Sequence, residues 1–505
     1  MQSSGFPPFP LRNIIQLVAL LIGFSALAFP QAQPNTDTAA LSKINHIIIL
    51  AQENRSFDHY FGELRQYWAD NGYPDVSFDG LPQFNPMSGL PPLYGPPPTN
   101  LGCDPRFPPP QQCRFGAQSP RISAYPLITQ CIENPSPSWN ESHADWNFLD
   151  QLGLYPAKLN AFVHTAAHDA RVLNYYDTDG IRAMGYYTGD VLNYYYFMAS
   201  NFATSDRWFS PVMTRTPPNR AYLYAATSQG AVYPRGTNAH DSQFMSAHTI
   251  FQELQAKQQT WKIYVNPKGS KCTGPPYDPA CLLTLSYIQN FKWGQTIPTQ
   301  YPNNIDTTDD FLADLQNGTL PAVSEIEPAT DAGLDEHPST SDAIPSRMQN
   351  GAAYVASLIN ALMASSYWQD SVFILTYDEF GGLGDHVPPQ PAVSPDGIKP
   401  RDLNPGDACT KGTGPICDFI YTGYRVPLIV ISPYTKQHYV SHTVADYTAT
   451  LKLIETRFGL PPLTQRDAAQ MDMTEFFDFK NPVWLTPPTP PAQNISSPCY
   501  LNQLP

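Results

Sequence analysis

The chain has 505 residues, with 44 Asp plus Glu against 29 Lys plus Arg, and a formal net charge of −15 at pH 7. That length is ample for a buried core, and large α/β enzymes reach it around a single sheet. The acidic balance excludes a nucleic-acid binder, whose affinity comes from a basic surface, and it requires a local positive charge wherever an anionic substrate is held.

At the N-terminus, Arg12 precedes the apolar run IIQLVALLIGFSALA, and Ala26-Leu27-Ala28 fits a small-x-small cleavage site. An uncleaved anchor is the competing reading, but the run is short for a span. Residues 1–28 therefore read as a signal peptide without a twin-arginine pair, and the mature chain is expected to be secreted or periplasmic. A strand is predicted at Ile44 to Ala51. Residues 68–140 include PPLYGPPPTN and CDPRFPPPQQC, where proline removes amide donors and fixes φ, so this is read as a long ordered insertion. The following SHADWNFLDQLGLYPAKLNAFVHTA is compatible with helix.

Further strands are predicted at TWKIYVN (260–266), PAVSEIE (321–327), SVFILTY (371–377) and VPLIVIS (426–432). Helical patterns lie among them: AHTIFQELQAKQQ, NGAAYVASLINALMAS, and DYTATLKLIETRFG, which ends at Gly459 with prolines just beyond. The alternation predicts an α/β fold, a mainly parallel central sheet with helices on both faces. The catalytic domain is expected over 41–480, followed by a Pro-rich tail at 481–505. Eight cysteines, even in number and clear of the aliphatic strands, fit an oxidising compartment. Short Pro/Gly-rich loops favour Cys272–Cys281 and Cys409–Cys417, with Cys103–Cys113 a third pair, leaving Cys131 for Cys499.

Two strands run straight into acids. HIIILAQ is followed by Glu53-Asn54, and SVFILTY by Asp378-Glu379. In a parallel sheet, ligands sit outside the carboxyl ends of the strands, so the two ends converge on one crevice. Three carboxylates and an amide oxygen form a hard-ligand set for a divalent cation of unknown identity. Any one such pair is more often a capping or turn element, and it is the recurrence that points to a site. In MTRTPPNRAYLY, Pro217-Pro218 marks a helix start with Thr216 beside it. A hydroxyl there, next to backbone amides and a metal, is a candidate nucleophile.

Together these segments resemble a known family. HIIILAQENRSFDHYFG, MGYYTGDVLNYYYFMASNFATSDRWFSPVMTRTPPNR, DEHP, TYDEFGGLGDHVPP and LKLIETRFGLPPL are similar, in order, to the bacterial phosphoesterase family of phospholipases C and acid phosphatases. That family is a branch of the alkaline-phosphatase-like superfamily. The resemblance implies Glu53, Asn54, Asp378 and Glu379 at metal positions, Thr216 as nucleophile, and His143 and His337 as histidines that contact phosphate or protonate the leaving oxygen. The chain departs from the larger phospholipases in lacking their additional C-terminal region, and it has GLGDHV where an aromatic residue commonly precedes Asp-His.

Other readings are weaker in pattern. His386 is a candidate support for the metal shell, and Asp385 and Glu336 are candidates to orient their neighbouring histidines. His442 reads as a cap or surface residue. The tyrosines of NYYDTDGIRAMGYYTGDVLNYYYF suit either a cation-binding wall for choline or plain packing, and packing is the commoner use. The implied partner is a phosphoester, either a phospholipid reached by transient membrane-surface contact or a phosphomonoester. Phospholipase C-type cleavage is the leading expectation and acid phosphatase the alternative. A sulfatase is disfavoured because no C-x-P-x-R segment is present. A non-catalytic lipid- or glycan-binding protein is the rival from another class.

Overall fold

The structure is a computed structural model that describes residues 38–148, 157–236, 243–339, 347–410 and 417–503. The expected signal peptide at 1–28 lies outside the described residues. At the centre is an eight-stranded sheet made of β1 (His46–Gln52), β2 (Ala203–Ser205), β3 (Trp261–Val265), β4 (Ile305–Thr307), β5 (Val323–Ile326), β6 (Ser371–Tyr377), β7 (Leu428–Ile431) and β8 (Tyr439–Ser441). Its order is β8-β2-β7-β6-β1-β5-β3-β4. Only β7 runs antiparallel to its neighbours.

Ile47, Ile48, Ile49 and Leu50 point alternately to opposite faces, and all are buried. Both faces must therefore be covered, as the unbroken aliphatic run implied. The helices fall into two packed groups: Asn193–Asn201, Thr308–Asn317 and Met348–Ala364 in one, and Thr216–Ala225, Ile250–Ala256 and Ala449–Phe458 in the other. Gly459 closes the last of these at φ 64, the left-handed C-cap the sequence predicted. All five predicted strands form: β6 matches its predicted range, β1 starts two residues later and ends one later, and the other three are trimmed by a residue or two at each end. The three unpredicted strands of this sheet, ATS, IDT and YVS, are only three residues long. None carries an aliphatic run, so pairing alone makes them strands.

The proline-rich insertion includes a two-stranded ribbon, Thr99–Leu101 with Arg121–Ser123. Buried Arg65 organises it, pairing with Asp75 at 2.9 Å and donating to the carbonyls of Pro92 and Leu90 at 3.0 and 3.2 Å. All four expected disulfides are formed: Cys103–Cys113, Cys131–Cys499, Cys272–Cys281 and Cys409–Cys417. Around Cys499 the tail is tied down by Gln130, donating to the Ser497 carbonyl at 2.7 Å, and by Arg182, donating to the Leu501 carbonyl at 2.8 Å. Among the described residues no helix is long and apolar enough to cross a membrane.

Candidate active site

The site begins with sheet register. β1 and β6 are parallel neighbours, with Gln52 opposite Tyr377, so the next residues, Glu53 and Asp378, leave the sheet side by side. The Asn54 amide donates to Asp378 Oδ1 at 2.9 Å and locks the two strand ends together. Asn54 turns the chain at φ 58, a left-handed conformation that Asn tolerates better than most residues. After Glu379 the chain must pass close over this turn. A Cβ at Gly381, which sits at φ 72, would meet the Asn54 carbonyl oxygen at 2.3 Å, so only glycine fits.

Thr216 is the first residue of the helix Thr216–Ala225 and is buried. Its hydroxyl donates to Glu53 Oε2 at 3.1 Å and lies 3.3 Å from Asn54 Oδ1. The amide array expected at this helix start is thinner than the sequence reading assumed, because the next two residues, Pro217 and Pro218, carry no N–H. Oxygens converge on the hydroxyl instead. The rest of the motif has definite work. Asn219 bonds Val212 through both ends of its amide and donates to the Thr214 carbonyl at 2.6 Å, pinning the loop that leads into the helix. Arg220 lies one turn after Thr216 on the same face. It grips Glu53 Oε1 at 2.8 Å, with Glu327 at 3.6 Å and Asp378 at 3.9 Å.

Charge is badly balanced here. Glu53, Glu327, Asp378 and Glu379 are fully buried, and Arg220 is the guanidinium in contact with the first three. Asp378 Oδ2 and Glu379 Oε1 have no hydrogen-bond partner. Burial, then the Glu53 charge, pushes the Asp378 carboxyl up to about 8. Burial, then Asp378, raises Glu379 well above the carboxylate range. Buried carboxylates with orphaned oxygens are the condition a cation relieves. The donors facing the gap are all oxygens, which suits a hard divalent ion.

A second acidic group bears on the same question. Among the described residues, Asp58, Asp385 and His386 are the set of three acid or imidazole side chains whose ligand atoms all lie within 4.8 Å of one another. Here the protein supplies the positive charge itself. Arg425 contacts Asp58 and Asp385, each at 2.9 Å, while His386 bonds Asp58 at 2.6 Å and Asp79 at 3.2 Å. Every carboxylate oxygen in this set is partnered, whereas at the strand ends one oxygen each of Asp378 and Glu379 has no hydrogen bond.

The predicted histidine supports need correcting. His337 reaches the cluster, with Nε2 3.6 Å from Glu53 Oε2. The acid that holds its Nδ1 is Asp335, at 2.9 Å, rather than Glu336. Burial works against charge on this imidazole, but Glu53 and Asp335 outweigh it and push the pKa up to about 9. Glu336, at φ 67, turns the opposite way into a cage of Tyr60, Tyr195 and Tyr377 hydroxyls at 2.7, 2.5 and 2.8 Å. Asp385 and His386 serve the Arg425 network rather than the strand-end site, because the Gly381-Gly382 turn leads the chain away after Glu379. His143 is buried, with Nδ1 on the Trp139 carbonyl at 2.6 Å. His442 is half exposed and bonds Asp206 at 2.9 Å.

The tyrosine stretch packs. Tyr194, Tyr195 and Tyr196 are buried, and their hydroxyls bond Asn360, Glu336 and the Tyr187 carbonyl. Residues in contact with this cluster that the sequence reading missed are Arg220, Tyr287, Glu327 and Asp335. Tyr287 donates to Glu53 Oε1 at 3.0 Å and lies under Arg220, 4.6 Å from its guanidinium. Arg220 was detectable as the i+4 partner of Thr216, and Glu327 as a third acid at a strand end. Nothing in the sequence pattern marks Tyr287.

The Phosphoesterase family profile matches residues 44–461. Phospholipase C B of Mycobacterium tuberculosis is 31% identical over 499 residues, covering 92% of this chain and 82% of that protein. Non-hemolytic phospholipase C of Burkholderia pseudomallei is 27% identical, covering 96% of this chain and 67% of the relative. Non-specific phospholipase C3 of Arabidopsis thaliana is 28% identical over 80% of this chain. A solved alkaline phosphatase superfamily protein from Vibrio parahaemolyticus overlaps 56% of this chain and 64% of its own, at 10% identity and TM-score 0.32.

Proposed function

This chain belongs to the Phosphoesterase family and is a phosphoric ester hydrolase, and from that premise we propose that it is an exported, metal-dependent phospholipase C with Thr216 as nucleophile. The observation that carries the reading is the Thr216 hydroxyl, 3.1 Å from Glu53 and 3.3 Å from Asn54, beside carboxylate oxygens of Asp378 and Glu379 that lack partners. Four disulfides support export.

Glu53, Asn54, Asp378 and Glu379 would hold the divalent cation, whose charge would ease deprotonation of a nearby hydroxyl and offset charge on the phosphoryl oxygens. Thr216 Oγ attacks phosphorus in line, its proton leaving along the hydrogen bond toward Glu53. The ester bond to the diacylglycerol oxygen breaks, and His337, steadied by Asp335, delivers a proton to that oxygen. The headgroup phosphate is then joined to Thr216. Water attacks phosphorus next and gives a proton to His337, while Glu53 returns its proton along the same hydrogen bond to the Thr216 oxygen, which leaves as the free hydroxyl. Arg220 and Tyr287 hold Glu53 by its other oxygen, so Oε2 stays aimed at Thr216 and His337.

The test uses chelated enzyme with individual divalent metals returned. Phosphocholine release from phosphatidylcholine is compared with phosphate release from an aryl phosphate monoester. Phosphocholine release is expected to dominate; faster monoester turnover would assign the chain to the acid phosphatase group instead. Thr216→Ala is expected to lose at least 1,000-fold in kcat, on the order of 4 kcal/mol of transition-state stabilisation. Thr216→Ser should stay within about tenfold of the parent. Wild-type turnover by Thr216→Ala would remove the nucleophile assignment.

A further inference from the structure

The proline-rich insertion presents a surface that the chemistry above does not use. Residues 80–103 contain no Asp, Glu, Lys, Arg or His, in a chain whose net charge is −15. Within this stretch Met87 is 91% exposed, Leu93 66%, Tyr94 57% and Leu90 42%. Single exposed apolar side chains are ordinary, but four within eight consecutive positions form a patch that calls for a partner.

The patch is held rigidly. Buried Arg65 donates to the carbonyls of Leu90 and Pro92. Asn85 donates to the Leu93 carbonyl at 3.2 Å, the Gly95 amide donates to Pro82, and Ser88 donates to Asp75 at 2.6 Å. Seven prolines, 82, 86, 91, 92, 96, 97 and 98, fix φ across the segment. The apolar tips are thus presented with little conformational entropy left to lose on contact.

We infer that the turn at residues 87–94 docks the enzyme on a zwitterionic phospholipid bilayer. The inference rests on the phospholipase C reading and names the surface through which it acts. An anionic bilayer would repel a chain of this charge, and a basic patch to overcome the repulsion is absent from the turn. Uncharged apolar side chains enter the headgroup boundary without desolvating an ion. The same insertion borders the Arg425 network. Leu81, Pro98 and Asn100 line a cavity of about 310 Å³ that also touches Asp58 and His386.

The experiment pairs the parent enzyme with the double variant Met87→Glu/Leu93→Glu. Co-sedimentation with phosphatidylcholine vesicles is measured beside turnover of vesicles and of a short-chain phosphatidylcholine below its micellar concentration. Vesicle binding and vesicle turnover are expected to fall at least tenfold, with turnover of the monomeric substrate unchanged within twofold. Unchanged vesicle binding would overturn the docking surface. So would a loss of self-association, read by gel filtration, that leaves vesicle binding intact. If the parent fails to cleave the monomeric lipid, the phospholipase C reading falls, while parent-against-variant binding to vesicles still decides the docking question.

Discussion

Thr216 and Arg220 sit one helical turn apart and engage opposite oxygens of Glu53, the hydroxyl on Oε2 and the guanidinium on Oε1. A buried ion pair that loses one partner leaves an uncompensated charge, typically worth about 3–5 kcal/mol. Arg220→Met is therefore expected to lower stability by roughly that amount, read as a fall in denaturation midpoint. Its kcat should also drop, because Glu53 loses the grip that aims Oε2. Arg220→Lys keeps the charge without the planar fork and should fall between parent and Arg220→Met in both respects. Wild-type kcat in a folded Arg220→Met protein would show that Arg220 only balances charge. A different residue sets a pH dependence. Burial, then the Glu141 charge, pushes Asp169 up to about 7. Between the usual carboxylate pKa and pH 7 the folded state thus binds the extra proton, and stability falls as pH rises across that window. Asp169→Asn removes this slope. Its melting-temperature gain over the parent should be absent near pH 4, grow toward pH 7 and then level off.

At the scale of elements, two connections decide the geometry. The turn after β6 passes so close to Asn54 that Gly381 has no room for a side chain. Gly381→Ala must displace either Glu379 or Asn54. It is expected to reduce turnover at least tenfold while costing only about 1–3 kcal/mol of stability. Activity equal to the parent would mean that the turn relaxes elsewhere. The other connection is Cys131–Cys499, which spans 368 residues and fastens the tail beside Arg182. Closing so long a loop constrains the unfolded chain strongly, and removing a native disulfide typically costs about 2–5 kcal/mol. Cys131→Ser/Cys499→Ser should lower the melting temperature with little change in kcat, since the tail's hydrogen bonds run to residues such as Thr129, Gln130, Arg182, Asn193 and Gln349, none of them in the strand-end cluster.

At the scale of the whole molecule, the cation site proposed at the strand-end acids would couple cation binding to folding. A ligand that binds only the folded state stabilises it by mass action, about 2.7 kcal/mol at a hundredfold excess over Kd. Chelation is expected to lower the melting temperature of the parent, and returning the metal to restore it. Asp378→Asn should abolish most of that response and also raise the melting temperature of the metal-free protein near neutral pH, because the carboxyl that burial forces to take up a proton on folding is gone. An unchanged metal response in Asp378→Asn would move the ion elsewhere, with the Asp58–Asp385–His386 group the first place to look.

Much of this arrangement was legible in the chain itself. Aliphatic runs gave β1, β6 and β7, since a strand buried on both faces has no polar side to show, and shorter apolar stretches interrupted by Lys262 and by Ser324-Glu325 gave β3 and β5. The acids at the ends of β1 and β6 and the hydroxyl before Pro217-Pro218 were visible for the same local reason, as was the pairing of cysteines across short loops. What the sequence could not supply was direction. Asp335 rather than Glu336 holds His337, because a left-handed backbone at Glu336 sends that side chain into a tyrosine cage. Asp385 and His386 go to Arg425, because two glycines turn the chain away after Glu379. Tyr287 meets Glu53 from 234 positions away. Local pattern determined which groups exist and where strands end. Only the packed sheet, by fixing register and turn geometry between distant segments, decided which of those groups face one another.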